Sequence, residues 1–218
     1  MTKPDTYRTL EKPSSGFYKE KGSKFYSFAF PVQDEDDVVR CLDEVRKEHH
    51  KARHHCYAWK LDFEGNAFRM NDDGEPSGTA GRPIFGQLES FDITKALIIV
   101  VRYFGGTLLG ASGLIRSYKE AAADALANGS IVDRFITDDI SIHFDYGDMS
   151  SVMSVIKDFD AEMIGQEYEL NPVIKIRIRK SLTDDFIIHL KAAVLQVSLE
   201  EAMTKEKIDH LKIEVCSE

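Results

Sequence analysis

Four stretches of this sequence gather residue types that can do chemistry. The first is Arg46-Lys47-Glu48-His49-His50-Lys51-Ala52-Arg53-His54-His55, with four basic residues, four histidines and one acid. Such a run can neutralise phosphates, and its imidazoles can change charge near neutral pH. It reads equally as a solvated helix end followed by a loop. On a strand, His54 and His55 point to opposite faces, so the two are poorly placed to chelate one metal together. The second stretch is Asp72-Asp73-Gly74-Glu75-Pro76-Ser77-Gly78-Thr79-Ala80-Gly81. Clustered carboxylates with flexible glycine can bind a divalent cation through oxygen. Here Gly74 comes too early and no Glu closes a twelve-residue loop, so no metal is expected. A carboxylate here can instead orient or ionise a nearby histidine, or its Asp and Ser side chains can cap the loop's own backbone.

The third stretch, Arg102-Tyr103-Phe104-Gly105-Gly106-Thr107-Leu108-Leu109-Gly110-Ala111-Ser112-Gly113, runs from a strand through a glycine turn into a helix start. Free N–H groups and the helix dipole favour an anion there, and Arg116 and Lys119 can add charge. Neither the P-loop spacing nor GxGxxG is present. The glycines can equally serve close helix–strand packing. In the fourth, Lys175, Arg177 and Arg179 alternate with isoleucines, a basic row without the aromatics of an RNA-recognition sheet. A hairpin centred on Pro172 would set Glu169 opposite Lys175 and Glu167 opposite Arg177, neutralising the row. There is no GxSxG or HExxH. Cys56 shares a strand face with His54 and not with His55, and reads as a small core residue. The candidate ligand- or anion-binding residues are therefore His55, Asp72, Asp73, Glu75, Ser77, Thr79, Arg102, Gly105, Gly106, Gly110 and Arg116.

The elements that must hold these residues follow from periodicity and punctuation. Residues 1–16, with two prolines, serines and a glycine, suggest a loose arm. Residues 24–32 read as an aromatic-rich strand. Asp34 opens a helix on which Val38, Leu42 and Val45 recur, acidic at its start and basic at its end, as the dipole favours. Residues 54–62 read as a strand, Glu64-Gly65-Asn66 as a hairpin turn and residues 67–70 as its return. Residues 72–81 are irregular. Residues 93–103 form a strand buried on both faces, and a helix from about Ser112 to Ala127 stops at Asn128-Gly129. The second half reads βαββαβ: strands around 140–144, 163–170, 173–180 and 211–215, helices over 149–159 and 183–202. That is the split βαβ, or ferredoxin-like, order. The predicted domains are residues 1–135 and 136–218 of an α+β protein.

Composition limits the function classes. Of 218 residues 43% are hydrophobic and 30% charged, ordinary for a globular protein. The longest apolar run, Ala96 to Val101, is too short to span a membrane. The first residues lack a signal peptide's apolar segment, and three scattered cysteines form no disulfide framework; a cytoplasmic protein is expected. The net charge of −9 argues against a simple nucleic-acid coat. Residues 1–135 carry 19 Lys+Arg against 20 Asp+Glu, and residues 136–218 carry 9 against 17. An anionic partner would therefore prefer the first half.

The stretches Lys21-Gly22-Ser23-Lys24-Phe25, His55-Cys56-Tyr57-Ala58, residues 72–83 and residues 102–116 together resemble the YigZ/IMPACT family. The resemblance covers most of residues 17–130, and the remainder is similar to the extra C-terminal domain of the bacterial members. It implies an N-terminal α/β domain of the kind seen in a ribosomal protein and elongation factor G, then an elongation-factor-G-like ferredoxin domain. It implies no catalytic residue set and no cofactor. Eukaryotic members regulate translation, so the expectation is a non-enzymatic protein docking on RNA, a ribosome or a translation factor. The alternatives are a small enzyme for a phosphorylated or nucleotide-like substrate, which needs residues 55, 73 and 105 in one cleft, and an interaction scaffold. Replacing Arg102 and Arg116 by Ala is expected to weaken docking without unfolding the protein.

Overall fold

A computed structural model describes residues 5–63, 66–168, 170–204, 208 and 210–217. Two compact units divide the chain: Tyr7–Arg134, and residues 135–217 with Asp5 and Thr6. Glu64, Gly65 and Glu169, on which parts of two expected turns rest, lie outside the described residues.

The first unit runs β1 (Thr6–Leu10), β2 (Ser14–Glu20), β3 (Ser23–Pro31), α1 (Glu35–Glu48), β4 (His54–Lys60), β5 (Phe68–Asn71), α2 (Gly81–Ser90), β6 (Ala96–Tyr103), α3 (Gly110–Ala127) and β7 (Ile131–Phe135). An antiparallel sheet of order β2-β3-β6-β4-β5 forms its middle layer, and β1 pairs with β7 separately. Both sheet faces are covered, which explains the uninterrupted apolar run of β6. On one face Phe25, Cys56, Ala58, Ile98 and Val100 meet Ile84 of α2 and Leu114, Tyr118, Ala121 and Ala125 of α3. On the other, Tyr57, Trp59, Leu97, Ile99 and Val101 meet Val38, Leu42 and Val45 of α1. The carboxylate of Asp34 caps α1 by accepting from the N–H of Asp37 at 2.8 Å.

The expected loose arm is, over its described residues, largely strand. Ser14 and Gly16 belong to β2, which returns on β3 through Lys21-Gly22, both at positive φ as a tight hairpin turn requires. Gly16 lies so close to Asp124 and Ala125 of α3 that a Cβ would overlap their backbone. Ser14 Oγ donates to the carbonyl of Ala125 at 2.8 Å, and the N–H of Phe17 to Asp124 Oδ2 at 2.8 Å. Small residues here serve close packing, which composition alone reads as looseness. Helix α2, Gly81–Ser90, lies where the periodicity predicts no element.

The second unit holds β8 (Thr137–His143), α4 (Met149–Asp158), β9 (Glu162–Tyr168), β10 (Pro172–Arg179), α5 (Thr183–Leu195), α6 (Leu199–Thr204) and β11 (Lys212–Ser217). Its antiparallel sheet has the order β11-β8-β10-β9, with the isoleucines of β8 and β10 packed on α4 and α5. The single expected helix over 183–202 is broken at Gln196, which is left-handed at φ 53. The expected pairing of the basic row is also corrected. Pro172 opens β10 opposite Tyr168, so the hairpin is not centred on it; a first strand position tolerates proline. Lys175 faces Gly165 and Arg177 faces Glu162. Two of its three cations are still neutralised: Lys175 Nζ lies 3.1 Å from Glu167, and Arg177 donates twice to Asp139, at 2.8 and 2.9 Å.

Candidate functional site

One end of the five-stranded sheet collects most of the predicted residues. His54 at the start of β4 pairs with Arg102 at the end of β6, and the 72–80 loop follows β5 at the same edge. The loop is held by its own acids. Asp72 Oδ1 accepts the N–H groups of Ala80 and Gly81 at 2.9 and 2.8 Å, and Oδ2 accepts that of Gly78 at 2.9 Å. Burial opposes its charge, but these three donors hold its carboxyl below the ordinary value. Thr79 Oγ1 donates to the Pro76 carbonyl at 2.6 Å, and Ser77 is exposed.

Asp73, left-handed at φ 40, joins the loop to the histidines. Its Oδ2 accepts the N–H of His55 at 2.6 Å, and its carbonyl oxygen lies 2.9 Å from His54 Nδ1. The His55 ring sits on the α1 side, 8% exposed, with Nδ1 3.8 Å from Asp73 Oδ2 and Nε2 buried. Burial lowers its pKa, with Asp73 opposing, so the buried ring is favoured neutral.

On the opposite face Glu75 is turned inward. Its Oε1 accepts from Arg102 Nη1 at 2.6 Å and from the Tyr118 hydroxyl at 2.8 Å. Cys56 donates to the Asp72 carbonyl at 3.0 Å, and its sulfur lies 3.3 Å from the Tyr118 oxygen. Burial pushes the Cys56 thiol and the Tyr118 hydroxyl well above their ordinary pKa values, so neither is an activated nucleophile. Arg102 is 7% exposed, and its ring neighbours are Phe25 and Phe104. The expectation that Arg102→Ala would leave stability intact does not fit this burial.

The glycine turn has a different role. Gly105 rests on the β2–β3 turn, its N–H donating to Ser23 Oγ at 3.2 Å. A Cβ at Gly105 would collide with the backbone of Gly22 and Ser23, a main-chain segment that cannot swing aside as a side chain could. Gly105→Ala is therefore expected to lower stability by about 2–3 kcal/mol, read by urea unfolding; an unchanged midpoint would contradict this contact. Gly106 and Gly110 are exposed at positive φ, beside Phe104, 58% exposed, and Leu108, 84% exposed. Arg116, on the second turn of α3, is 3.0 Å from Glu20 of β2.

His55, Asp73 and the Glu75–Arg102 pair thus share one sheet end, while Gly105 packs on a neighbouring turn and Arg116 reaches another strand. Among the described residues no three His, Cys, Asp or Glu side chains gather to hold a metal. Within them no helix is long and apolar enough to cross a membrane. Sequence reasoning passed over one feature at this end: the partly covered corner carrying Phe17, Lys24, Tyr26 and Tyr103. Its signal is the mixture of basic and aromatic residues over 17–26, of which only 24–26 fall within an expected strand.

The Impact N-terminal domain family matches residues 21–126. The chain is similar to IMPACT family member YigZ of Escherichia coli, 27% identical over 168 residues, covering 76% of this chain and 82% of the relative. It is similar also to an IMPACT family member of Thermus thermophilus, 39% identical over 104 residues, 48% of this chain and 55% of the relative. A crystal structure described as that of a hypothetical protein shares the fold over 97% of both chains, with a TM-score of 0.70 and 23% identity.

Proposed function

We propose, for a chain that belongs to the IMPACT family, a non-enzymatic role in translation or its regulation: the N-terminal unit docks on RNA, the ribosome or a translation factor. One observation carries this reading. The groups in the predicted constellation that could do chemistry are already committed within the protein: Asp72 to three backbone donors, Asp73 to His55, Glu75 to Arg102 and Tyr118. They build a rigid loop, beside which the glycine turn with Phe104 and Leu108 is presented to solvent. The strand order of the second unit agrees with a ferredoxin-like domain, and so with the elongation-factor-like pairing that the family resemblance implies. Free thiols at Cys41, Cys56 and Cys216 suit a cytoplasmic site of action. The enzyme alternative would use His55 as acid or base, but a buried Nε2 speaks against access by a substrate.

Co-sedimentation with ribosomes tests the reading. The wild type is expected to pellet at low salt and to be released as salt rises. Leu108→Asp, a change at a solvent-exposed turn, is expected to reduce pelleting at least about tenfold while leaving the unfolding midpoint unchanged. Wild-type protein that stays in the supernatant at the lowest salt would end the proposal.

A further inference from the structure

The β2–β3 hairpin ends beside the last turn of α1, which covers Tyr26 and Tyr103 in part and leaves Phe17, Lys19, Lys21 and Lys24 exposed. Cross-strand neighbours share a face, so the pairs Phe17–Tyr26, Lys19–Lys24 and Lys24–Tyr103 place all five side chains on the α1 side. The rings form a chain. Phe17 and Tyr26 have centroids 5.0 Å apart, and Tyr26 and Tyr103 5.9 Å apart. His49, at the end of α1, stacks on Tyr26 and lies 3.0 Å from the Tyr103 hydroxyl, which fixes the platform. Gly22, Lys24, Tyr26, Tyr103 and Phe104 line an open hollow of about 370 Å³. Phe17 and Phe104 are 46% and 58% exposed at its margins.

The charge at this corner is positive. Lys19, Lys21 and Lys24 are exposed and make no salt bridge among the described residues. The hairpin's acid, Glu20, pairs with Ser23 on the opposite face and is held by Arg116 and Tyr18. Arg46 and Lys47 stand exposed on the last turn of α1, where Glu48 is the acid beside His49. Exposed rings beside unpaired cations are what a flexible polyanion with flat bases requires: bases stack on the rings while phosphates meet the ammonium groups. A duplex keeps its bases stacked inside and cannot use the rings. An apolar protein partner would leave three ammonium groups uncompensated.

We infer that this corner, formed by Phe17, Lys19, Lys24, Tyr26, Tyr103 and Phe104, binds single-stranded RNA. The choice of RNA over DNA rests on the translation reading above. The test is fluorescence anisotropy with a labelled twelve-nucleotide oligouridylate, run beside its deoxy counterpart and an RNA duplex. Binding is expected to weaken with salt, with a slope of log K against log salt of about −2 for three lysine–phosphate contacts. Lys19→Glu/Lys24→Glu should weaken binding more than about tenfold. Phe17→Ala and Phe104→Ala should each weaken it about tenfold, without moving the unfolding midpoint. Lack of binding at low salt, wild-type affinity in the variants, or equal affinity for the duplex would overturn the inference. Equal affinity for the deoxy strand would overturn the assignment to RNA. If the oligonucleotide fails to bind while ribosomes still pellet the protein, this inference falls and the proposed function stands. Failure of both removes both.

Discussion

Replacing Arg102 by methionine is expected to remove about 3–5 kcal/mol of stability and to lower the thermal midpoint by roughly 10 °C. The reason is what the change leaves behind. Glu75 is 9% exposed, and its Oε1 accepts from Arg102 at 2.6 Å and from Tyr118 at 2.8 Å. Without the guanidinium, a carboxylate stays buried with one neutral donor. It must then carry its charge uncompensated, take up a proton or pull its loop toward water. Glu75→Leu is expected to destabilise for the mirror-image reason, leaving the Arg102 cation unpaired. The double variant Arg102→Met/Glu75→Leu buries no charge and should recover much of the loss, so the cycle should show a coupling of about 2 kcal/mol or more. Additive effects in urea unfolding would show that the pair does not act as a unit. The result also bears on function. Lost docking in an Arg102 variant would report a loosened 72–80 loop as readily as a lost contact, whereas Leu108 and Lys24 are exposed and free of that ambiguity.

What the sequence allowed a reader to see divides along physical lines. Periodicity located α1, the buried strand β6, α3 and the alternating elements of the second unit, because each has one face whose spacing is imposed by a core. It failed where tertiary contact decides. Gly16 and Ser14 look like linker residues until α3 is packed against them. Helix α2 begins at Gly81-Arg82-Pro83 with no cap residue of its own, since its donors are met by Asp72, nine residues upstream. The β9–β10 register was misjudged because Pro172 was taken for the centre of a turn rather than the first residue of a strand. For the candidate site, composition drew attention to residues 54–55, 72–81 and 102–110, but residue type does not reveal direction. Glu75 and Arg102 carry opposite charges in two stretches that each suggested ligands, and they turn inward to each other. Conversely, Phe17 has the composition of a core residue and stands exposed, beside Tyr26 and Tyr103, which α1 covers only in part.

Asp72→Asn is expected to cost about 2–3 kcal/mol, because a carboxylate accepting from three backbone donors becomes an amide with a single acceptor oxygen. The amide nitrogen would also face N–H groups that it cannot serve. This effect carries a pH signature. The Asp72 carboxyl lies below its ordinary value in the folded protein. A group whose folded pKa is depressed contributes stability that is fully present above its unfolded pKa, about 3.9, and is lost as pH falls through the folded value. The gap in stability between wild type and Asp72→Asn should therefore be constant from neutral pH down to about pH 5 and should narrow below about pH 4. Urea midpoints measured from pH 7 to pH 3 give that gap directly; one that stays constant to pH 3 would show that the ionised carboxylate is not what holds the loop. Because the same loop delivers Glu75 to Arg102, loosening it releases part of that pair in advance. Asp72→Asn and Arg102→Met should then cost less together than the sum of their separate losses. Asp73 follows Asp72 directly, so the N–H of His55 should exchange with solvent faster in Asp72→Asn than in the wild type.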